Sequence, residues 1–261
     1  TVMKLEEDKL IANIVDAYNL RGFSFREFLN ITQNKNFRAY SLDEIVENHA
    51  HIANEICQQI DPLTHLWEYQ HHGYYPFFLE KKNFSENLLK TVNMMLEVDV
   101  LSIRQIEHTY LPKLRKLLYL LAHLAPSKPN ISQLSIECEI SRATVTNYLE
   151  YLRSARLINM LYKEGDEFPK KPELVYMHNT NLIFLFRVID SDVCDQALRE
   201  TFFYNQIHHS DWVLKRGMSD GMFVVSSGKK KYKFKIEEFK PRRKGKSDLL
   251  YAMDNVAQSS G

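Results

Sequence analysis

The run Ile131-Ser132-Gln133-Leu134-Ser135-Ile136-Glu137-Cys138-Glu139-Ile140-Ser141-Arg142-Ala143-Thr144-Val145-Thr146-Asn147-Tyr148-Leu149-Glu150-Tyr151-Leu152-Arg153 decides how the middle of the chain folds. Ile131 to Cys138 has the length of a short helix, and Glu139-Ile140 is a turn. Ser141 is an N-cap, whose hydroxyl satisfies an orphan amide of the helical turn that follows. A longer helix then runs through Arg153, with Val145, Leu149 and Leu152 on one stripe. That stripe is expected to pack inward on Leu134, Ile136, Leu117 and Leu121. Upstream, Leu114, Leu117, Leu118, Leu121 and Leu124 recur at helical spacing until Pro126 and Pro129 stop them. Downstream, Leu157 to Tyr162 and Leu174 to Met177 are strand-like runs, joined by the polar, turn-rich link Lys163 to Pro172. Helix, helix, turn, helix and paired ribbon is the order of a winged helix, which assigns residues 112–178 to that fold.

The sequence before it, residues 1–111, reads as helical. Ser24 with Glu27, and Ser41 with Glu44, match the capping box, in which hydroxyl and carboxylate satisfy each other's orphan amides. After Ser41, Leu42, Ile45, Val46, Ile52, Ile56 and Ile60 fall near helical spacing up to Pro62. Gly73 ends a short segment, Tyr74 to Phe78 form an aromatic turn, and a helix is expected from about Ser85 to Glu97. Residues 179–261 mix a helix at Gln196 to Gln206 with strands at Trp212 to Leu214, Met222 to Val225 and Tyr232 to Phe239, bent by Gly217 and Gly228. The expected fold class is therefore mostly α with an α/β C-terminal part, which ends incomplete.

With 261 residues, 44% of them hydrophobic, the chain has ample material for a large core, and disorder is excluded. No stretch approaches a membrane-spanning length, and Thr1-Val2-Met3-Lys4 does not open a secretory signal. Cys57, Cys138 and Cys194 are odd in number and far apart, so they form neither a disulfide framework nor a zinc knuckle. A cytoplasmic setting with no membrane partner is the expectation. Net charge is +1, yet residues 229–246 hold ten Lys or Arg against two Glu, a local balance of +8. Such a run is either an anion-binding surface or a solvated hairpin with its tail.

The sequence lacks G-x-x-x-x-G-K-[ST], so it has no loop of backbone amides and lysine to hold nucleotide phosphates. G-x-G-x-x-G, G-x-S-x-G and H-E-x-x-H are absent too, and the adjacent pairs His71-His72 and His208-His209 point to different faces, so no metal ligand is assigned. After Ser141, Arg142, Thr146, Asn147 and Tyr151 are left outside the stripe. At the N-terminal end of such a helix, Arg reads guanine and Asn adenine in a major groove, while Lys163, Lys170 and Lys171 of the ribbon take phosphates. A protein-docking or spacer role is the alternative, since Glu150, Glu164, Asp166 and Glu167 lie nearby. Asp220 and, eighteen residues on, Glu238-Phe239-Lys240, with Glu200 on the preceding helix, match the spacing of a magnesium-dependent nuclease. A chance match, with Glu237 and Glu238 balancing their basic neighbours, is the preferred reading of that string.

Several strings in order carry a family resemblance: Leu20 to Leu29, His72 to Glu80, Lys128 to Ser132, Ser141 to Val145 with Tyr148-Leu149, Lys171-Pro172-Glu173, His178 to Leu182 and Arg199 to Phe203. Together they resemble the C-terminal two thirds of a prokaryotic AAA-type ATPase family. The resemblance implies a helical lid at 1–111, a winged helix at 112–178 and a restriction-endonuclease-like α/β domain at 179–261. It also implies an ATP- and Mg²⁺-binding core, which this sequence does not contain. Where the family carries Asp-Phe and Phe-Glu, this sequence has Met222-Phe223 and Phe234-Lys235, and Glu200 alone keeps its place. The nuclease-like domain is therefore expected to be degenerate, and the chain to act as a DNA- or protein-binding portion of an AAA-type ATP-binding protein without catalysis of its own. A nuclease using Glu200, Asp220, Glu238 and Lys240 is the alternative. Duplex DNA and a separate ATPase core or protein are the expected partners.

Overall fold

A computed structural model describes residues 21–80, 82–187, 195–207 and 212–237. It is mostly helical, with two small antiparallel sheets in the C-terminal part. Ser24 opens α1 (Phe25–Thr32): its Oγ accepts from the Glu27 amide at 3.2 Å, and the Glu27 carboxylate accepts from the Ser24 amide at 2.8 Å. Ser41 and Glu44 repeat the box at α2 (Leu42–Cys57). Inside α2 the backbone kinks at Asn48, and Val46, expected on the apolar stripe, stays exposed. α2 ends at Cys57, and Pro62, expected to stop it, instead occupies the first turn of α3 (Pro62–Glu68), where its missing N–H leaves no bond unmade. α3 continues in the wider π form over Tyr69–Gly73, and α4 (Phe84–Met94) does so over Met95–Ser102.

α5 (Leu111–Leu124), α6 (Ile131–Cys138) and α7 (Arg142–Ser154) follow, then the antiparallel ribbon of β1 (Ile158–Leu161) and β2 (Leu174–Met177), paired from Ile158 with Met177 to Leu161 with Leu174. α8 (Thr180–Phe186) and α9 (Asp195–Ile207) lead to β3 (Val213–Arg216), β4 (Met222–Ser227) and β5 (Lys230–Lys235), a meander in the order β3-β4-β5. The end of the expected 232–239 strand beyond Glu237 lies outside the described residues, as do Cys194 and His208-His209. No helix among the described residues is long and apolar enough to cross a membrane.

The chain packs as two compact units, one holding residues 83–187, the other residues 22–80 together with 195–207 and 212–237. This grouping cuts across the three parts expected from sequence, 1–111, 112–178 and 179–261. The physical reason lies in α9, whose Phe202 joins the core of α1, α2 and Tyr69 rather than serving a separate C-terminal core. In that core the Phe25 and Tyr69 rings are 5.2 Å apart and those of Tyr69 and Phe202 5.8 Å, close enough for edge-to-face attraction. The buried Tyr69 hydroxyl donates to the Phe23 carbonyl at 2.8 Å and accepts from Gln206 Nε2 at 3.0 Å. Two glycines allow this density: a Cβ on Gly73 would stand 2.4 Å from Tyr69 Cδ2, and one on Gly22 2.4 Å from Tyr74 Cε1.

Residues 83–187 are built on α5, whose Leu114, Leu117, Leu118 and Leu121 are buried. Leu124, expected on the same stripe, is exposed, because the helix ends there and Ala125 takes the inward place. The last carbonyls of α5 have no partner within the helix. Arg187 supplies one: Nε donates to Ala122 O at 2.8 Å, and Nη2 to His123 O at 3.0 Å and to Ala125 O. Cys57 and Cys138 are free thiols, and burial pushes both of them up.

Arg187→Ala is expected to lower the unfolding free energy by about 1.5–3 kcal/mol, the range for hydrogen bonds to a charged donor, read as a shifted urea midpoint with an unchanged slope. The His71 ring lies tilted against Trp67 with centroids 4.4 Å apart, and burial first, then the neighbouring His72, lowers its pKa from 6.5 to about 4. The unfolded chain therefore takes up a proton that folded His71 resists, so its contribution is complete above pH 6.5 and is lost as pH falls towards about 4. Urea midpoints measured across that window should fall less steeply in His71→Gln than in the parent chain.

Candidate functional site

The helix that begins at Ser141 presents the surface most suited to recognition. Ser141 Oγ accepts from the Thr144 amide at 3.0 Å, and the Ser141 carbonyl takes the first helical bond from Val145 N at 2.9 Å. The turn before it is tight because Glu139 sits in the left-handed region at φ 54°, with its carbonyl accepting from Lys113 Nζ at 2.8 Å. Val145, Leu149 and Leu152 are buried, and Tyr148, which the stripe from sequence omitted, is buried beside them. α6 packs against α7 and buries its own Leu134 and Cys138. Ile136 does not take part: it is 77% exposed, on the face of α6 opposite Leu134, so the expected inward packing is replaced by an apolar side chain in solvent.

The candidate contact residues divide into those the structure presents and those it engages. Arg142, Ala143 and Asn147 are exposed on the first turns of α7. Thr146 is half-buried, and its hydroxyl turns back to donate to Arg142 O at 3.1 Å, so a base edge would have to compete with the helix for it. On the ribbon, Lys163 and Lys128 both reach Glu173, each at 3.0 Å, and hold its carboxyl below the usual range. Lys170 pairs with Asp166 at 2.6 Å. Lys171 is exposed. From Lys163 to Glu173 the link carries three lysines against Glu164, Asp166, Glu167 and Glu173, so the ribbon tip is not a net cation.

The residues proposed for metal chemistry behave differently. Glu200 on α9 is buried and accepts from Gln196 Nε2 at 2.8 Å, while the same nitrogen donates to Ile236 O at 2.7 Å. This closed arrangement is possible because residue 221 is glycine: a Cβ there would lie 2.4 Å from Ile236 O and 3.4 Å from Glu200 Oε1. Asp220 next door points outward and pairs with Arg216 at 2.7 Å. Glu238 and Lys240 lie outside the described residues. Among the described residues no three His, Cys, Asp or Glu side chains meet as a metal site.

Comparison with known proteins adds little chemistry. A family described as a domain of unknown function, DUF8612, matches residues 63–178, which takes in α7 and the ribbon. An uncharacterized protein, MJ1637, of Methanocaldococcus jannaschii is 24% identical over 212 residues, covering 77% of this chain and 45% of that protein. The chain thus spans less than half the length of this relative. No solved structure matches the chain significantly.

The two faces of α7 differ in what truncation does to them. Leu149→Ala is expected to cost about 2–5 kcal/mol by opening a cavity, whereas Asn147→Ala should stay within about 0.5 kcal/mol of the parent. Thermal or urea unfolding of the two variants side by side checks which face is buried.

Proposed function

We propose that the chain is the C-terminal portion of an AAA-type ATP-binding protein, and that α6, α7 and the ribbon are a winged helix through which it contacts duplex DNA. The exposed Arg142, Ala143 and Asn147 on the first turns of α7, opposite a fully buried stripe, are the observation that carries this reading. Exposed Arg and Asn at the start of a helix are the side chains that reach base edges bidentately when that end enters a major groove. The greater length of the archaeal relative supports a longer protein of which this is part. ATP binding belongs to the core that the family resemblance implies and is not assigned to any residue here.

A second reading, docking onto a protein partner through the same unit, draws support from Ile136, 77% exposed, and from the balanced charge of the ribbon. A magnesium-dependent nuclease has weaker support, because Glu200 is engaged by Gln196 and Asp220 by Arg216. The deciding experiment is fluorescence anisotropy of the 261-residue chain with a labelled duplex across a salt series. Affinity should fall steeply with salt, and Arg142→Ala with Asn147→Ala should weaken specific binding by about 1–3 kcal/mol for each base edge no longer read. Binding that is absent, or that both substitutions leave intact, would remove α7 as the DNA contact.

A further inference from the structure

The β3–β4–β5 sheet has two unlike faces, and the register decides which side chains share each. On one face Tyr232 and Phe234 of β5, Phe223 and Val225 of β4 and Leu214 of β3 lie in register. This face packs on α9, with the Phe203 ring 5.0 Å from Phe223 and 5.3 Å from Phe234. Its outer end is tied down by Asp43 of α2, which accepts from Tyr232 at 2.7 Å and pairs with Lys230. Those two partners hold the Asp43 carboxyl below its usual range.

With that face fixed, the period of two along a strand sends Lys231, Lys233 and Lys235 to the other side, where all three are exposed. Across the sheet, Val224 lies between Lys233 on β5 and Lys215 on β3, and Ser226 lies between Lys231 and Val213. Val224 is only 9% exposed although it belongs to this face, where the register sets it between two lysines. The strands place four lysines and no Asp or Glu here; the nearest acid in sequence, Glu237, follows β5 and pairs with Lys235. The ladder also lies within the sequence run of ten Lys or Arg against two Glu at 229–246.

We infer that this sheet face is a polyanion-binding surface which takes the phosphodiester backbone of a nucleic acid along β5. Successive lysines of the ladder stand about 6.8 Å apart, two residue rises of a strand, a spacing from which flexible ammonium groups reach successive phosphates of a backbone lying beside them. A linear ladder suits one backbone better than a lipid surface, because the face carries no aromatic side chain to insert between headgroups. The binding is independent of sequence in the bound strand, since it touches phosphates alone. It lies in the unit of residues 22–80, 195–207 and 212–237 and does not rest on any role for α7.

The experiment is a salt titration of binding to labelled single-stranded and duplex oligonucleotides, using the full chain. Replacing Lys231, Lys233 and Lys235 by Gln should reduce affinity at least tenfold and lower the slope of log K against log salt by about 2–3, as the removal of three phosphate partners requires. Replacing the exposed Lys82, Lys90 and Lys116 removes the same charge elsewhere and should leave the slope unchanged. Arg142→Ala with Asn147→Ala, run in parallel, reports on α7 alone, so the two surfaces succeed or fail separately. A circular dichroism spectrum that matches the parent excludes misfolding of the ladder variant, and a Lys233→Gln single variant should give a slope change of about 1. The inference is overturned if the ladder variants keep the parent slope. It is equally overturned if binding disappears only on neutralising Lys240, Arg242, Arg243 and Lys244, or if anionic phospholipid vesicles are bound and oligonucleotides are not.

Discussion

The hydroxyl of Tyr69 is the point from which the unit of residues 22–80, 195–207 and 212–237 is organised. A phenol buried among Phe25, Phe28 and Phe202 must have hydrogen-bond partners, because an unpaired polar atom in such a place costs about 1–3 kcal/mol. It finds one in Phe23 O, just before α1, and another in Gln206 of α9, 137 positions further along the chain. Burial holds the phenol well above its ordinary range, so it remains a neutral donor and acceptor at any physiological pH. That requirement, with the ring packing around it, joins α9 and the sheet behind it to the N-terminal helices. The position of Glu200 follows from it: with Phe202 and Phe203 committed to packing, Glu200 is carried to the end of the sheet, where Gln196 and Gly221 close around it.

Local structure was legible because its causes are local. Ser24, Ser41 and Ser141 each cap a helix as their sequence context predicts, and the stripe Val145, Leu149 and Leu152 is buried. The ribbon of Ile158–Leu161 and Leu174–Met177 falls within one residue of the expected strands at its start. What escaped were consequences of distant packing and of helix ends. Nothing near Phe202 in sequence tells that it packs on Tyr69, and no periodicity tells that Leu124 falls past the last inward turn of α5, whereas Ile136, two positions from the buried Leu134, is turned to the opposite face by helical geometry itself.

The candidate site was legible to the same extent. Arg142 and Asn147 are exposed as expected, since the buried stripe fixes what is left outside. The pairing of Lys163 with Glu173 and of Lys170 with Asp166 depends on how the ribbon folds back on itself, which charge counting along the link does not disclose. Residues of several strings singled out in the sequence have structural duties of their own. Gly22 and Gly73 make room for Tyr74 and Tyr69, His178 meets Asn159 across the ribbon at 3.2 Å, and Asn179 caps α8. The lysine ladder had a signal in sequence, alternation within a basic run, but only the register with β4 and the grip of Asp43 tell which side is which.

The split of one unit between residues 22–80 and residues beyond 195 has a consequence during synthesis. Tyr69 leaves the ribosome 137 positions before Gln206, a delay of about 7–27 s at ordinary elongation rates. Through that interval Phe25, Phe28 and Tyr69 lack the aromatic cover that Phe202 provides. The nascent chain therefore carries an uncovered apolar surface for seconds, the kind of substrate that chaperones shield, while residues 83–187, which belong to the other unit, emerge before Phe202 does.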